Sequence, residues 1–169
     1  MKKFIALAIA FACALGLFGC GNSAAGQSAV NKNDDIFQKT YTLGDVVDWD
    51  GVSISFVNGY LSNGDGYFAP SEGNVFVICE FEVSNETSET FMAGSILSFS
   101  AFVDDYEVDS SFLAMASTNM EPFGGDVASG RKMRGIIGYE VPSDWELFEV
   151  EYTPDLWGDK TLTFAVSNG

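Results

Sequence analysis

The 169-residue chain contains no histidine, and its 8 lysines and arginines face 24 aspartates and glutamates, for a formal charge of −16. The missing histidine removes Ser–His–Asp and Cys–His catalysis, the zincin motif and every imidazole-ligated metal. The shortage of cations makes phosphate backbones repulsive, so no nucleic acid is expected as a partner. Neither G-x-S-x-G nor G-x-x-x-x-G-K-[ST] occurs, which excludes the nucleophile elbow and the phosphate cradle. No enzyme, catalytic residue or cofactor is expected. The composition is 47% hydrophobic and 14% aromatic, too rich for a disordered chain, and the length suits one ordinary domain.

Cysteine is scarce as well, with three in all. Cys13 and Cys20 belong to an N-terminal stretch, MKKFIALAIAFACALGLFGC, with Lys2 and Lys3 ahead of an uncharged apolar run from Phe4 to Phe18. This is a secretory leader pattern. Its end, Leu17-Phe18-Gly19-Cys20, resembles a bacterial lipobox, with Phe18 bulkier than the usual occupant. The resemblance implies cleavage after residue 19 and diacylglyceryl attachment at Cys20, so the lipid bilayer is the first expected partner. Two acyl chains meet the two-signal requirement for stable anchoring. Loss of residues 1–19 removes two lysines and no acid, taking the charge from −16 to −18. A domain so acidic is repelled by an anionic bilayer and is expected to stand off it. Residues 20–36 then read as the lipidated N-terminus and a flexible linker. Its fifteen residues from Gly21 to Asp35 span roughly 20–23 Å on average. The domain is expected at 37–169.

Strand patterns dominate the body. In Asn74–Ser84, residues Val75, Val77, Cys79, Phe81 and Val83 share one face at period two. The opposite face begins apolar at Phe76 and Ile78 and turns to Glu80 and Glu82, predicting a strand covered at one end and wet at the other. Further strands are expected at 51–57, 96–103, 133–141, 148–152 and 161–166. In the second of these, Leu97, Phe99, Ala101 and Val103 are expected inside. Gly135 and Gly138 mark bulges or close packing. Turn chemistry falls at Asp50-Gly51, Asn58-Gly59, 63–66, 85–88, 124–126, 129–130 and 142–144. Ser111–Ser117 fits a short helix or a strand equally. About seven strands at this spacing predict an all-β, two-sheet antiparallel sandwich. Cys79 falls inside it, alone, so no disulfide forms within the body.

The same motifs, in order, resemble the telokin-like, immunoglobulin-like domain of surface lipoproteins of Gram-positive bacteria. Leu43-Gly44-Asp45 leads into Gly51-Val52-Ser53-Ile54. Ser71–Val77 precedes the central strand, which ends at Val83–Ser88; Phe99–Asp109 and Ala128–Trp145 follow. The resemblance covers most of residues 41–166. It implies an immunoglobulin-like sandwich on a lipid anchor and brings no catalytic residues.

Binding candidates are sparse. Tyr67 and Phe68, beside the glycine-rich loop 63–66, are the expected contact patch, since rigid aromatics in loops make good anchors. Tyr60, Phe123, Trp145 and Trp157 are further aromatics near turns. Arg131, Lys132 and Arg134 form the one basic cluster, facing either an anionic partner or the protein's own carboxylates. Asp48 and Asp50, Asp65, and Asp104, Asp105 and Asp109 offer oxygen ligands suited to Ca²⁺, but none fits the EF-hand register, and turn chemistry explains them equally. No metal site is expected. The expectation is a membrane-anchored binding module for an unidentified cell-envelope or host protein. Capture of a small ligand or Ca²⁺ for uptake or sensing is the alternative.

Overall fold

The computed structural model describes residues 34–154 and 160–168. The leader, Cys20, most of the linker and Trp157 lie outside the described residues. The described chain is an all-β sandwich of antiparallel sheets. One sheet contains β2 (Val46–Trp49), β3 (Val52–Ser62), β4 (Asn74–Asn85) and β9 (Arg131–Pro142), in that order. The other runs β1 (Thr40–Tyr41), β11 (Leu162–Ser167), β10 (Leu147–Tyr152), β6 (Phe99–Val103) and β7 (Tyr106–Val108). Its one parallel contact is between β1 and β11. A small ribbon pairs β5 (Phe91–Ser95) with β8 (Gly124–Val127).

The alternation in β4 sets the architecture. Val75, Val77, Cys79, Phe81 and Val83 all point into the core between the sheets. There Phe81 stacks on Phe56 at 4.9 Å and meets Phe164 edge-on at 5.4 Å. The other face divides as its composition predicts. Phe76 and Ile78 are covered by the short helix α1 (Phe112–Ala116), with Ala114, Met115 and Ile136 completing a second apolar cluster. Ser111 caps the helix by accepting from the Ala114 N–H. This settles Ser111–Ser117 as helix. Gly138 of β9 is its seat, because a Cβ there would stand 2.7 Å from that of Ala114. Gly135 likewise lies against the Phe123 backbone, where a Cβ would come within 2.5 Å of Cα. Both glycines therefore serve close packing.

Several expectations are corrected. Asn58-Gly59 is not a turn. β3 continues through it with a bulge between Phe56 and Asn58. Ile96–Ser98 is a 3-10 turn closed by a capping box from Ser95, so Leu97 is exposed and Ser98 buried, the reverse of strand alternation. Residues 124–126 belong to β8. Ile36 and Phe37, in the turn Asp34–Gln38, pack on the core, and the Tyr41 hydroxyl donates to the Ile36 carbonyl at 2.9 Å. Residues 34–36, assigned to the linker, thus belong to the body.

Candidate binding surfaces

The acidic turns are occupied by backbone chemistry. Asp50 and Gly51 have φ of +53° and +84°, and Asp104 and Asp105 have +48° and +71°. Both pairs close two-residue hairpins of the kind that needs positive φ at each central position. The Asp104 carboxylate accepts from the Glu146 and Leu147 N–H groups. Asp65 accepts from those of Tyr67 and Phe68, and these bonds hold its carboxyl below the usual range. Among the described residues, no three carboxylates or thiols gather as a metal site would require. Asp48 and Asp109 add no third ligand to any of these turns.

Tyr67 stands almost free, at 93% exposed, whereas Phe68 is half-buried with its carbonyl accepting from the Asp65 N–H at 3.2 Å. The two neighbours in sequence therefore do not present equal faces. Phe123 and Trp145 are core residues, at 2% and 5% exposed. Tyr60 sits on the outer side of β3, its hydroxyl 3.8 Å from the Met120 sulfur.

The basic cluster turns inward on the protein's own acids. Arg134 donates to Glu82 at 2.6 Å and lies 3.6 Å from Glu80, and Lys132 reaches Glu82 at 3.1 Å. The register makes this unavoidable, since Glu82 pairs with Arg134 across β4 and β9, and Ser84 with Lys132. Hydrogen bonds from Arg134 first and Lys132 second pull the Glu82 carboxyl below its ordinary range.

The outer face of the five-stranded sheet is different. Inner positions such as Phe148, Val150, Tyr152 and Phe164 enter the core, so alternate residues face outward. One row across it reads Ala165, Glu149, Phe102, Glu107, and the next reads Thr163, Glu151, Ser100. No described element covers this face. Glu107, Glu149 and Glu151 enter no described ion pair. Half-buried Phe102 lies between two glutamates, with Leu147 at the edge.

A cleft of about 350 Å³ opens at one end of the sandwich, a feature the sequence did not signal. The bulge at Val57 creates it. Beyond the bulge Gly59 pairs with Cys79 and Leu61 with Val77, so Leu61 points between the sheets. There Leu61 remains 48% exposed. Gly59 leaves room for the Phe56 ring, whose Cζ would be 3.0 Å from a Cβ at that position. The Phe56 carbonyl accepts from Gly44 at 2.8 Å, bringing Leu43 to the rim. Val166, Ser167 and Asn168 form the facing wall with Trp145. Asn168 fixes that tryptophan by donating from Nδ2 to its carbonyl at 2.9 Å. The Trp145 Nε1–H is buried and has no acceptor among the described residues. Such a group costs about 1–3 kcal/mol.

A family model described as Domain of unknown function (DUF4352) matches residues 41–163. The chain belongs to this family. Solved structures share the DUF4352 chain's fold. The Bacillus subtilis protein ycdA, described as a putative lipoprotein, aligns with a TM-score of 0.58 at 16% identity, over 72% of this chain and 38% of its own. This chain thus spans well under half of that protein. Bacillus subtilis yjhA aligns at 0.57 and 14%, over 76% of this chain and 100% of its own. A conserved hypothetical protein from Bacillus anthracis aligns at 0.51 and 17%, over 66% and 89%. At these identities the likeness is one of fold. No curated protein matches the chain. The DUF4352 match takes in Leu43, Leu61 and Trp145 of the cleft and stops short of Val166, Ser167 and Asn168.

Proposed function

We propose that the protein is a lipoprotein held on the extracytoplasmic face of the cell membrane by acylated Cys20. Its sandwich is a non-enzymatic binding module for another protein of the envelope or of a host. The observation that carries this reading is the contrast between the two outer faces. One is covered by α1 and neutralises Glu80 and Glu82 with Lys132 and Arg134. The other is bare and sets Glu107, Glu149 and Glu151 around Phe102 without a described cation. A flat face with an aromatic centre and uncompensated acids suits a cationic protein surface, which would be steered to it and matched on arrival. The anchor is supported by the leader ending at Cys20 and by the lipoprotein description of ycdA. The neighbour order β6-β10-β11 in one sheet and β3-β4-β9 in the other is the C-F-G and A-B-E order of immunoglobulin sandwiches. That order supports the telokin-like, immunoglobulin-like reading of the body.

Two measurements test the proposal. Cys20→Ser should move the protein from the membrane fraction to the soluble one. With the mature protein as bait on solubilised membranes, one stoichiometric protein should be recovered, and Glu149→Lys with Glu151→Lys should abolish its recovery. Unchanged partitioning of Cys20→Ser overturns the anchor. Empty beads, or equal recovery by the charge-reversed protein, overturn the binding face.

A further inference from the structure

We infer that the cleft at the Leu61 end of the sandwich binds a small, uncharged, predominantly apolar molecule bearing a hydrogen-bond acceptor. The volume of about 350 Å³ lies within the range of small-molecule sites. Its lining is unusual for this chain. In a protein of charge −16, none of the described residues that line the cleft is an aspartate, glutamate, lysine or arginine. A cationic ligand would find no counter-charge there and an anionic one no cation, and either would lose its hydration on entry. Leu43, Phe56, Leu61, Val77 and Val166 supply the apolar walls. Their apolar surface stays open because the bulge in β3 aims Leu61 into a gap that the opposite sheet does not fill. The second observation is Trp145, 5% exposed, whose Nε1–H lacks an acceptor among the described residues. Trp145 lines the cleft, and a carbonyl or ether oxygen on the ligand supplies the acceptor its Nε1–H lacks.

The test uses Prodan, a neutral naphthalene bearing a carbonyl, and its response to segment 31–169, the compact unit that carries the whole described core. Its emission should shift to the blue with one-to-one saturation and a dissociation constant below about 100 µM. Leu61→Arg and Leu43→Arg, each at the exposed rim, should weaken binding by about tenfold or more, because a guanidinium would enter the apolar mouth. Leu97→Arg, 77% exposed and absent from the lining, is the control and should bind as the parent does. Circular dichroism melts establish that each variant is folded. Absence of saturable binding overturns the inference. So does equal loss in Leu97→Arg, or equally tight binding of the anionic dye 1-anilinonaphthalene-8-sulfonate. The cleft lining shares no residue with the Glu149 face, so failure here leaves the protein-binding proposal to its own test.

Discussion

Tyr139 and Tyr152 are equally buried, at 1% and 0% exposed, yet only the Tyr152 hydroxyl is bonded, donating to the Ala93 carbonyl at 2.9 Å. The Tyr139 hydroxyl has no partner among the described residues, while its ring meets Phe148 edge-on at 5.3 Å. The pair separates two effects of one atom. Tyr152→Phe orphans a buried carbonyl and should cost about 1–3 kcal/mol. Tyr139→Phe removes an unsatisfied polar group and keeps the ring contact, so it should leave stability unchanged or raise it by about 1 kcal/mol. Urea titrations of the two variants check the opposite signs.

The same tyrosines set the alkaline limit. Burial raises both hydroxyls above the ordinary 10.0, and it raises the Cys79 thiol above 9.0. In the unfolded chain these groups ionise near their ordinary values, whereas in the folded chain they stay neutral. The unfolded state therefore loses protons first. Stability should fall as pH rises past about 9 to 10, without any catalytic group being involved. Melting temperature followed from pH 7 to 11 should bend downward in that window. Cys79→Ala should delay the first part of the bend, after correction for its own packing cost at pH 7.

Gly135 and Gly138 offer a packing test. Each faces backbone that cannot yield like a side-chain tip. The neighbours are Phe123 N at 2.8 Å and Met115 N at 3.0 Å from the position a Cβ would take. Alanine at either site should cost about 1–3 kcal/mol through forced displacement. Gly138→Ala should also lift α1 from the sheet and expose Phe76 and Ile78. Binding of a hydrophobic dye by Gly138→Ala but not by the parent, measured away from the cleft in the Leu61→Arg background, would report that displacement.

The core could be read from the sequence where one strand's alternation was enough. β4 carries its inner face in five residues and its covered half in two more, so its environment was evident before any partner was known. The cleft depended on two features with no local signature. Asn58-Gly59 reads as a turn because those residues usually make one, and only the pairing of both flanks with β4 converts it into a bulge. The inward aim of Leu61 follows from that one added residue. Ile96–Ser98 failed for a related reason. Its alternation suited a strand, but the Ser95 and Ser98 side chains offered the backbone local bonds that closed a 3-10 turn instead. Tyr67 and Phe68 looked alike as loop aromatics. Both N–H groups donate to the Asp65 carboxylate, yet one side chain is free and the other half-buried. The outer face around Glu149 was invisible because it joins two stretches that lie apart in sequence, the β6-β7 hairpin and the β10-β11 pair.

Asn85 shows what one residue between strand and loop can hold. It is fully buried, and its Nδ2 donates to the Glu89 and Val127 carbonyls at 2.8 Å each. Its Oδ1 accepts from the Thr87 N–H at 3.0 Å and hydroxyl at 2.7 Å. Every polar atom of the amide is used. Asn85→Ala would take the amide partner from the Val127 carbonyl and the Thr87 N–H, while the Glu89 carbonyl keeps the Thr87 hydroxyl; it should cost more than a single hydrogen bond, about 2–4 kcal/mol. Asn85→Asp should be as damaging, since the carboxylate would face the two carbonyls that the amide N–H groups now satisfy. Thermal melts of both variants at pH 7 check this, and retention of parental stability by the aspartate variant would refute the bonding scheme.

The acid limit follows from Glu82. Arg134 and Lys132 hold its carboxyl below the ordinary 4.5 in the folded protein. The stabilisation is therefore complete above that value and disappears as pH falls through the lower folded one. Glu140 behaves in the same direction, held down first by the Asn74 side chain and then by the Ser71 N–H. Glu82→Gln should lower stability at pH 7 by about 0.2–1 kcal/mol, a modest cost because Arg134 and Lys132 are more than half exposed. The difference between parent and variant should shrink as pH falls below the ordinary 4.5 and vanish once the pH has passed through the lower folded value, where the Glu82 carboxyl takes up its proton. High salt at pH 7 should shrink it in the same way by screening the pair. A difference that stayed constant from pH 7 to pH 3 would mean that Glu82 contributes through packing against β9 and not through its charge.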